Sequence, residues 1–304
     1  MNSTPTVVVV GAACRDLVDD DERGWRLGGG ASYSALTLAR LGLQVGALVV
    51  ADDLAATSME LDMLRDAGVD VRVIPGTQGP VFINTETPTG RVQQTPQVSD
   101  PVDPAALPEA WRGAGAWMLA PVAAEVRDEW AGVPSPAALV AVGWQGLLRV
   151  LRQGKAVHHR PPGPSAVVRR ANLVGVGRDD VDAGTTPAAL TALMRPGATL
   201  LFTDGIHGGM AYEVGAHTEA LAPRSWHSIR VARYVDPVGA GDTFLAGVFA
   251  AWVDPGLTAG WHGPDADLRL GAACGSLILE APGLYGVPHL EDARRRMFGG
   301  DNPD

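Results

Sequence analysis

The stretch "DPVGAGDTFLAGVFAAW", Asp236–Trp252, places two carboxylates on either side of a turn made almost entirely of backbone. From Thr243 onward, Phe244, Leu245, Val248, Phe249 and Trp252 recur at helical spacing, so Gly239-Ala240-Gly241 sits at a helix N-terminus. The first N–H groups of a helix have no internal partner, and the dipole makes that end positive. Gly and Ala leave those groups uncovered, so an anion can approach closely. A carboxylate at Asp242 would repel a phosphate, but it makes sense beside a hydroxyl. It would take the hydroxyl proton as the oxygen attacks, while the helix end stabilises charge on a transferring phosphoryl group. The plain alternative is an acidic residue in a Gly-rich helix start, favourable in any helix.

Outward from this stretch the chain alternates strand-like and helix-like segments. "TVVVVGAA" (Thr6–Ala13) is a β-branched run typical of a strand buried on both faces. "ASYSALTLARLG" (Ala31–Gly42) has helical spacing and a Gly stop, "VGALVVADD" (Val45–Asp53) is a strand, "LAATSMELDMLRDAG" (Leu54–Gly68) a helix, and "VDVRVI" (Val69–Ile74) a strand again. This β-α-β-α-β order is the grammar of an α/β, doubly wound, mostly parallel sheet flanked by helices. "GPVFINTETPTGRVQQTPQV" (Gly79–Val98) breaks the rhythm with two strand-like runs joined by a turn around Pro88–Gly90, a hairpin. It is either an edge decoration or a lid over a site, and the non-helical segment Cys14–Leu27 is a candidate to pair with it. Strands resume at Ala116–Pro121, Ala138–Gly146, Thr199–Gly205 and Gly208–Gly215, and long helices follow at about Ala240–Val253 and Asp265–Glu280.

With 304 residues, 46% of them hydrophobic, the chain can bury one large core. Its net charge of −10 offers no basic face for nucleic acid. Lys155 is the only lysine, so arginine carries the remaining positive charge. Cys14 and Cys274 make no disulfide framework, and Cys274 reads as core filler. "MNSTPTVVVVG" lacks the basic segment of a signal peptide, and no apolar run approaches the ~20 residues that span a bilayer. The expectation is a cytoplasmic protein with no membrane partner. His158 and His159 lie in a Pro-rich loop without a matching ligand cluster and read as surface, and the tryptophans read as packing.

"DPVGAGDTFLAG" resembles the C-terminal signature of the ribokinase-like (PfkB) carbohydrate kinases. The resemblance implies a ribokinase-like fold with a small β lid. It assigns Asp242 as catalytic base and Gly239, Ala240 and Gly241 as the anion hole. "GAACRDLV" is similar to the family's first strand with its substrate-binding aspartate, here Asp16. "LGGGASYSALTLARLG" resembles the double-Gly motif, which brings Gly28 and Gly29 against substrate hydroxyls. "LFTDGIHGG" resembles the nucleotide-side strand and turn, with Thr203, Gly205 and Gly208 near phosphates or ribose. "GAACGSLILEAPGLYGVP", beginning at Gly271, resembles the helix and loop beside the adenine. On this pattern residues 1–13, 28–75 and 100–304 form the core, and 14–27 with 76–99 form the lid. The resemblance implies ATP and magnesium, with a monovalent cation such as potassium as a further ion. It also implies a small polyol substrate and a homodimer joined through the lid.

Two positions depart from the family pattern. The double-Gly motif commonly carries an Asn that contacts substrate, and here that residue is Tyr33. An aromatic there, with Gln145-Gly146, resembles the plant inositol-kinase branch and points to a cyclitol. The family's Asn-x-x-Glu, whose Glu organises magnesium, is matched by Asn172 but ends in Gly175; Asp179 and Asp180 are the nearby acids, at a different spacing. This departure motivates a rival reading, a catalytically weak nucleotide- or polyol-binding sensor, which the retained Asp242 opposes. A dinucleotide-binding oxidoreductase is disfavoured because "GAACRD" is not GxGxxG.

Overall fold

Four consecutive valines explain the centre of the molecule. In the computed structural model, which describes residues 4–87, 90–215 and 222–299, the strand Val7–Ala12 is buried at every position. Val7 and Val9 pack into the core on one face of a sheet, and Val8 and Val10 into a second core on the other. A strand with two dry faces belongs in a sheet covered by helices on both sides.

In chain order the strands are β1 (Val7–Ala12), β2 (Cys14–Leu17), β3 (Trp25–Gly28), β4 (Val45–Val50), β5 (Asp70–Val73), β6 (Val81–Thr87), β7 (Gly90–Gln97), β8 (Ala116–Ala120), β9 (Leu139–Gly143), β10 (Arg149–Val150), β11 (Lys155–Ala156), β12 (His158–His159), β13 (Leu173–Gly177), β14 (Thr199–Thr203), β15 (Gly209–Glu213) and β16 (Arg224–Trp226). The helices are α1 (Gly30–Arg40), α2 (Asp53–Ala56), α3 (Met59–Asp66), α4 (Ala166–Arg170), α5 (Pro187–Thr191), α6 (Ala240–Val253), α7 (Ala266–Leu277) and α8 (Leu290–Phe298). The large sheet runs β16-β15-β14-β13-β9-β8-β1-β4-β5. Its pairings are parallel from β14 to β5, and β15 and β16 add an antiparallel edge. This is the doubly wound, mostly parallel α/β architecture that the β-α-β-α-β order predicts. Helices α1, α6, α7 and α8 supply one core; Trp111, Trp117, Trp130 and Trp144, all fully buried, anchor the other. The indole N–H of Trp130 donates to the Val102 carbonyl at 2.7 Å, which satisfies its one polar group in the dry interior.

A second sheet, β11-β7-β6-β2-β3, stands over the carboxyl ends of the first. The segment 14–27 and the hairpin share it, with β2 parallel to β6 and antiparallel to β3. Pro88 and Thr89 of the expected turn lie outside the described residues. Lys155–Ala156 adds an edge strand to β7 that the sequence pattern does not announce.

Three expectations change. The helix over Leu54–Gly68 is two helices, because Ser58 starts a new one: its hydroxyl accepts the Leu61 N–H, while Asp52 caps the first. His158 and His159 are not pure loop; they pair antiparallel with β10. The helix expected to end at Glu280 is α-helical only to Leu277 and finishes in a 3₁₀ turn. Both cysteines are buried and free. Among the described residues no helix is long and apolar enough to cross a membrane.

Candidate active site

The acids on either side of the Gly-rich turn have different tasks. Asp236 is a structural clasp: its carboxylate accepts the N–H of Val238 at 2.9 Å and of Gly283 at 3.0 Å, which fastens the turn to the loop after α7. Gly239 then takes φ 81°, a left-handed conformation that suits glycine, and caps α6. A Cβ at Gly239 would lie 2.5 Å from the Tyr33 ring, so the turn also rests on that ring. The Ala240 N–H bonds the Pro237 carbonyl and the Thr243 N–H bonds that of Gly239. Gly241 and Asp242 lie between, in the turn whose N–H groups helix geometry leaves without an intrahelical acceptor.

These residues face a cavity of about 200 Å³ at the carboxyl ends of the central strands, where ligands bind in open α/β sheets. Gly143, Gly175–Gly177 and Thr203 line it from β9, β13 and β14; Gly239–Asp242 from α6; Gly29, Gly30 and Tyr33 from α1 and its cap. The second sheet contributes Cys14, Asp16, Phe82 and Gln93. The double-Gly segment passes between the two key acids. A Cβ at Gly28 would collide with the Asp16 carboxylate, and one at Gly30 would lie 2.9 Å from Asp242 Oδ1. Gly29, at φ 99°, makes the turn between them.

Asp16 is only 7% exposed. Asn84 donates to its Oδ1 at 3.3 Å, and Gln93 donates to Asn84 at 2.8 Å, so the hairpin holds the carboxylate in place. Asp242 is reached through the cavity mouth but is otherwise enclosed. Burial pushes its carboxyl from the ordinary 3.8 up to about 7; the nearby Arg149 charge opposes that rise, and Asp180 adds to it. A carboxylate poised near neutrality suits a general base. Tyr33 is raised well above its ordinary value by burial and by Asp16, so its hydroxyl stays a donor. Burial and Asp16 likewise keep Cys14 a thiol.

Gly175, at the family's Glu position, faces Leu245: a Cβ there would meet that side chain at 3.0 Å. The acid that reaches the cavity is Asp180, whose oxygens accept from Gln145 Nε2 at 2.8 Å and from the Gly177 N–H at 3.0 Å. Of the residues expected on the nucleotide side, Thr203 lines the cavity. Asn172 sits at the far, amino end of β13, where its Oδ1 accepts the Val140 N–H and stitches β13 to β9. Gly28, expected on the acceptor side, and Gly205, Gly208 and Gly271 are not among the lining residues; Gly208 abuts the Trp226 carbonyl, and Gly271 packs on Val248 and Phe244 of α6.

Sequence reasoning missed Arg149, Phe82, Asn84, Gln93 and Glu125. Glu125 is 1% exposed and folds the loop after β8, accepting the N–H groups of Val122 and Ala123 at 2.7–3.1 Å. Its carboxyl is raised by burial, against those backbone bonds. A polar pair such as Asn84 and Gln93 on the arms of a hairpin carries a faint signal, and Arg149 carries none until the chain folds.

Residues 176–290, which include the helix-mouth turn, match the family model of the pfkB family carbohydrate kinases. A search of curated proteins finds no match. Among solved structures, a pyrophosphate-dependent kinase in the ribokinase family, complexed with a pyrophosphate analogue and myo-inositol, is similar with a TM-score of 0.71 at 18% identity, covering 95% of this chain and 99% of its own. Arabidopsis thaliana ribokinase complexed with ribose and ATP is similar with a TM-score of 0.68 at 18% identity, covering 98% and 100%. Fructokinase with bound ATP from Xylella fastidiosa has a TM-score of 0.68 at 18% identity, covering 96% and 98%. At these identities the likeness is one of fold. Fold and helix-mouth signature together define a phosphotransferase with a hydroxyl acceptor. Over residues 176–290 the chain is similar to the pfkB family of carbohydrate kinases.

Proposed function

We propose that the protein moves the terminal phosphoryl group of ATP to a hydroxyl of a small polyol, a sugar or a cyclitol such as inositol. The observation that carries this reading is one cavity holding Asp16, Asp242 and the mouth of α6 together. Asp16 and the Gly29 backbone hold the acceptor, and Gly28 gives the Asp16 carboxylate room. Asp242 accepts the proton of the attacking hydroxyl, and Gly239–Gly241 present N–H groups and the positive helix end to the transferring group. Tyr33 supplies an aromatic face and one hydroxyl to the acceptor, and Thr203 stands on the donor side. The sheet of β2, β3, β6, β7 and β11 acts as a lid that excludes water from the transfer. Asp242 in place, with a carboxyl tuned near neutrality, favours catalysis over a sensor that only binds.

Magnesium fits the donor set. Asp180 and Asp242 face the same cavity, and no cluster of three or more ligating side chains occurs among the described residues. That suits an ion which keeps several waters and binds through one or two carboxylates plus phosphates. Asp180 would hold it, and it would neutralise charge on the donor phosphates. Potassium, a cytoplasmic setting and a lid-to-lid dimer remain part of this proposal.

A second donor reading has one observation behind it. Gly205, Gly208 and Gly271, expected beside the nucleotide, lie outside the cavity, and a neighbour in fold is pyrophosphate-dependent. The test is a grid: ATP or pyrophosphate with magnesium against sugars, inositols and nucleosides, scored by phosphorylated product. Product from an inositol or a sugar supports the reading; no product from any pair overturns it.

A further inference from the structure

Among the described residues, three acids and one cation line the cavity: Asp16, Asp180 and Asp242 against Arg149. A polyphosphate donor brings further negative charge into this acidic chamber. The α6 mouth answers with about half a positive charge, on one side only. Arg149 is the full positive charge that the chain itself builds into the cavity wall.

Its placement is set by the surrounding structure. A guanidinium Nη1 donates to the Val122 carbonyl at 3.2 Å, and the group lies 5.7 Å from the Phe82 ring centroid, over the lid-side wall. Val122 is in turn fixed by the buried Glu125, which accepts its N–H. The loop between them holds Ala124 at φ 59°, a left-handed conformation that a non-glycine residue adopts only where its surroundings impose it. A strained loop closed on a buried carboxylate is an unusual way to present one carbonyl to one arginine. It also leaves the guanidinium close enough to Asp242 to act on its charge, in the same cavity as a helix end already suited to an anion.

We infer that Arg149 is a catalytic residue that binds the transferring phosphoryl group from the side opposite the Gly239–Gly241 helix mouth, so that the group passes between two positive faces beside Asp242. This rests on the kinase reading above. Arg149 forms no bond in the reaction. Its planar N–H fork spreads over the equatorial oxygens as the donor bond breaks and the acceptor bond forms, while the acceptor proton goes to Asp242. Glu125 is a positioning residue that acts through Val122.

The charged and titratable groups around Asp242 are Arg149, Asp180 after β13, Asp16 and Cys14 on β2, and Tyr33 on α1. Replacing Arg149 therefore changes both the transfer rate and the pH at which Asp242 ionises. Wild type, Arg149→Met and Arg149→Lys are compared for kcat, acceptor KM, the acid limb of the pH–rate profile, and Tm. Arg149→Met should lose roughly 10²–10³-fold in kcat, as for a lost charge-stabilising donor, with little change in acceptor KM. Its acid limb should move to higher pH, because a positive charge that favours ionised Asp242 has gone. Arg149→Lys should hold the limb near wild type yet recover only part of kcat, since a point charge lacks the fork. Added guanidinium should partly rescue Arg149→Met.

A rise in acceptor KM with kcat intact would make Arg149 an acceptor anchor and overturn the inference. A lower Tm with unchanged kcat and unchanged limb would make it structural and overturn the inference equally. Should Arg149→Met fail to fold, Arg149→Lys decides: a wild-type kcat overturns the inference and a reduced kcat with an unmoved limb supports it. Wild type inert with every donor and acceptor is a failure of the kinase reading itself, separable from all of these.

Discussion

Asp242→Asn should produce an inactive enzyme that is more stable than wild type at alkaline pH. Asp242 ionises near 3.8 in an ordinary setting and near 7 in the folded protein, because burial disfavours its charge. At low pH both folded and unfolded chains hold the proton, and the variant gains nothing. As pH rises past 3.8 the unfolded chain releases its proton while the folded chain keeps it, so stability falls by about 1.4 kcal/mol per pH unit until the folded group ionises near 7. Over this span of about three units the burden is on the order of 4 kcal/mol, an upper figure because the cavity mouth admits solvent. The asparagine has no charge to desolvate. Urea denaturation of both proteins at pH 4, 6 and 8 should show a gap that is small at pH 4, opens by pH 6 and is largest at pH 8. Turnover should fall roughly 10²–10⁴-fold in the same variant, the usual worth of a positioned base. A constant gap at all three pH values, or a variant less stable at pH 8, would refute the burial argument. Near-wild-type turnover in the pure variant would remove Asp242 as base.

Gly241→Val places a branched side chain in open cavity space, where a Cβ meets no heavy atom within 4 Å; calorimetry should show polyol binding kept while phosphoryl transfer is blocked. Asp180→Asn removes a negative charge near Asp242, so the Asp242 pKa should fall and the acid limb of kcat/KM should move to lower pH; a limb moving upward would contradict the charge balance. Tyr33→Asn should change the ratio of kcat/KM between a cyclitol and a pentose, measured side by side, and an unchanged ratio would reduce the ring to a prop under Gly239.

What the sequence makes legible here follows from how local each signal is. The buried valine run, the glycine-capped α6 and the hairpin are written in contiguous residues, and each forms where its pattern says. The break at Ser58 is equally local, a cap signal masked by apolar residues on both sides. The cavity wall is different. Arg149 approaches Asp242 across 93 positions of chain only because β8, β9 and β13 lie side by side and bring the loops beyond their ends together. Asp180 shows the intermediate case: its spacing fits no motif, yet a 3₁₀ turn after β13 swings its carboxylate back onto the Gly177 N–H and into the cavity. Asn172 fits the motif, and strand direction puts it at the far end of the sheet.

A single residue, Ala13, separates β1 from β2, and its N–H is bonded to Val50 of β4. The most buried strand of the large sheet thus runs almost without pause into the strand that carries Asp16. Such a joint cannot work as a loose flap on a flexible tether. Ala13 is one of the joints about which the small sheet can move, and a bend there changes the distance between Asp16 and Asp242. Acceptor bound to Asp16 should therefore report its presence to α6 through a rigid lever of a few residues.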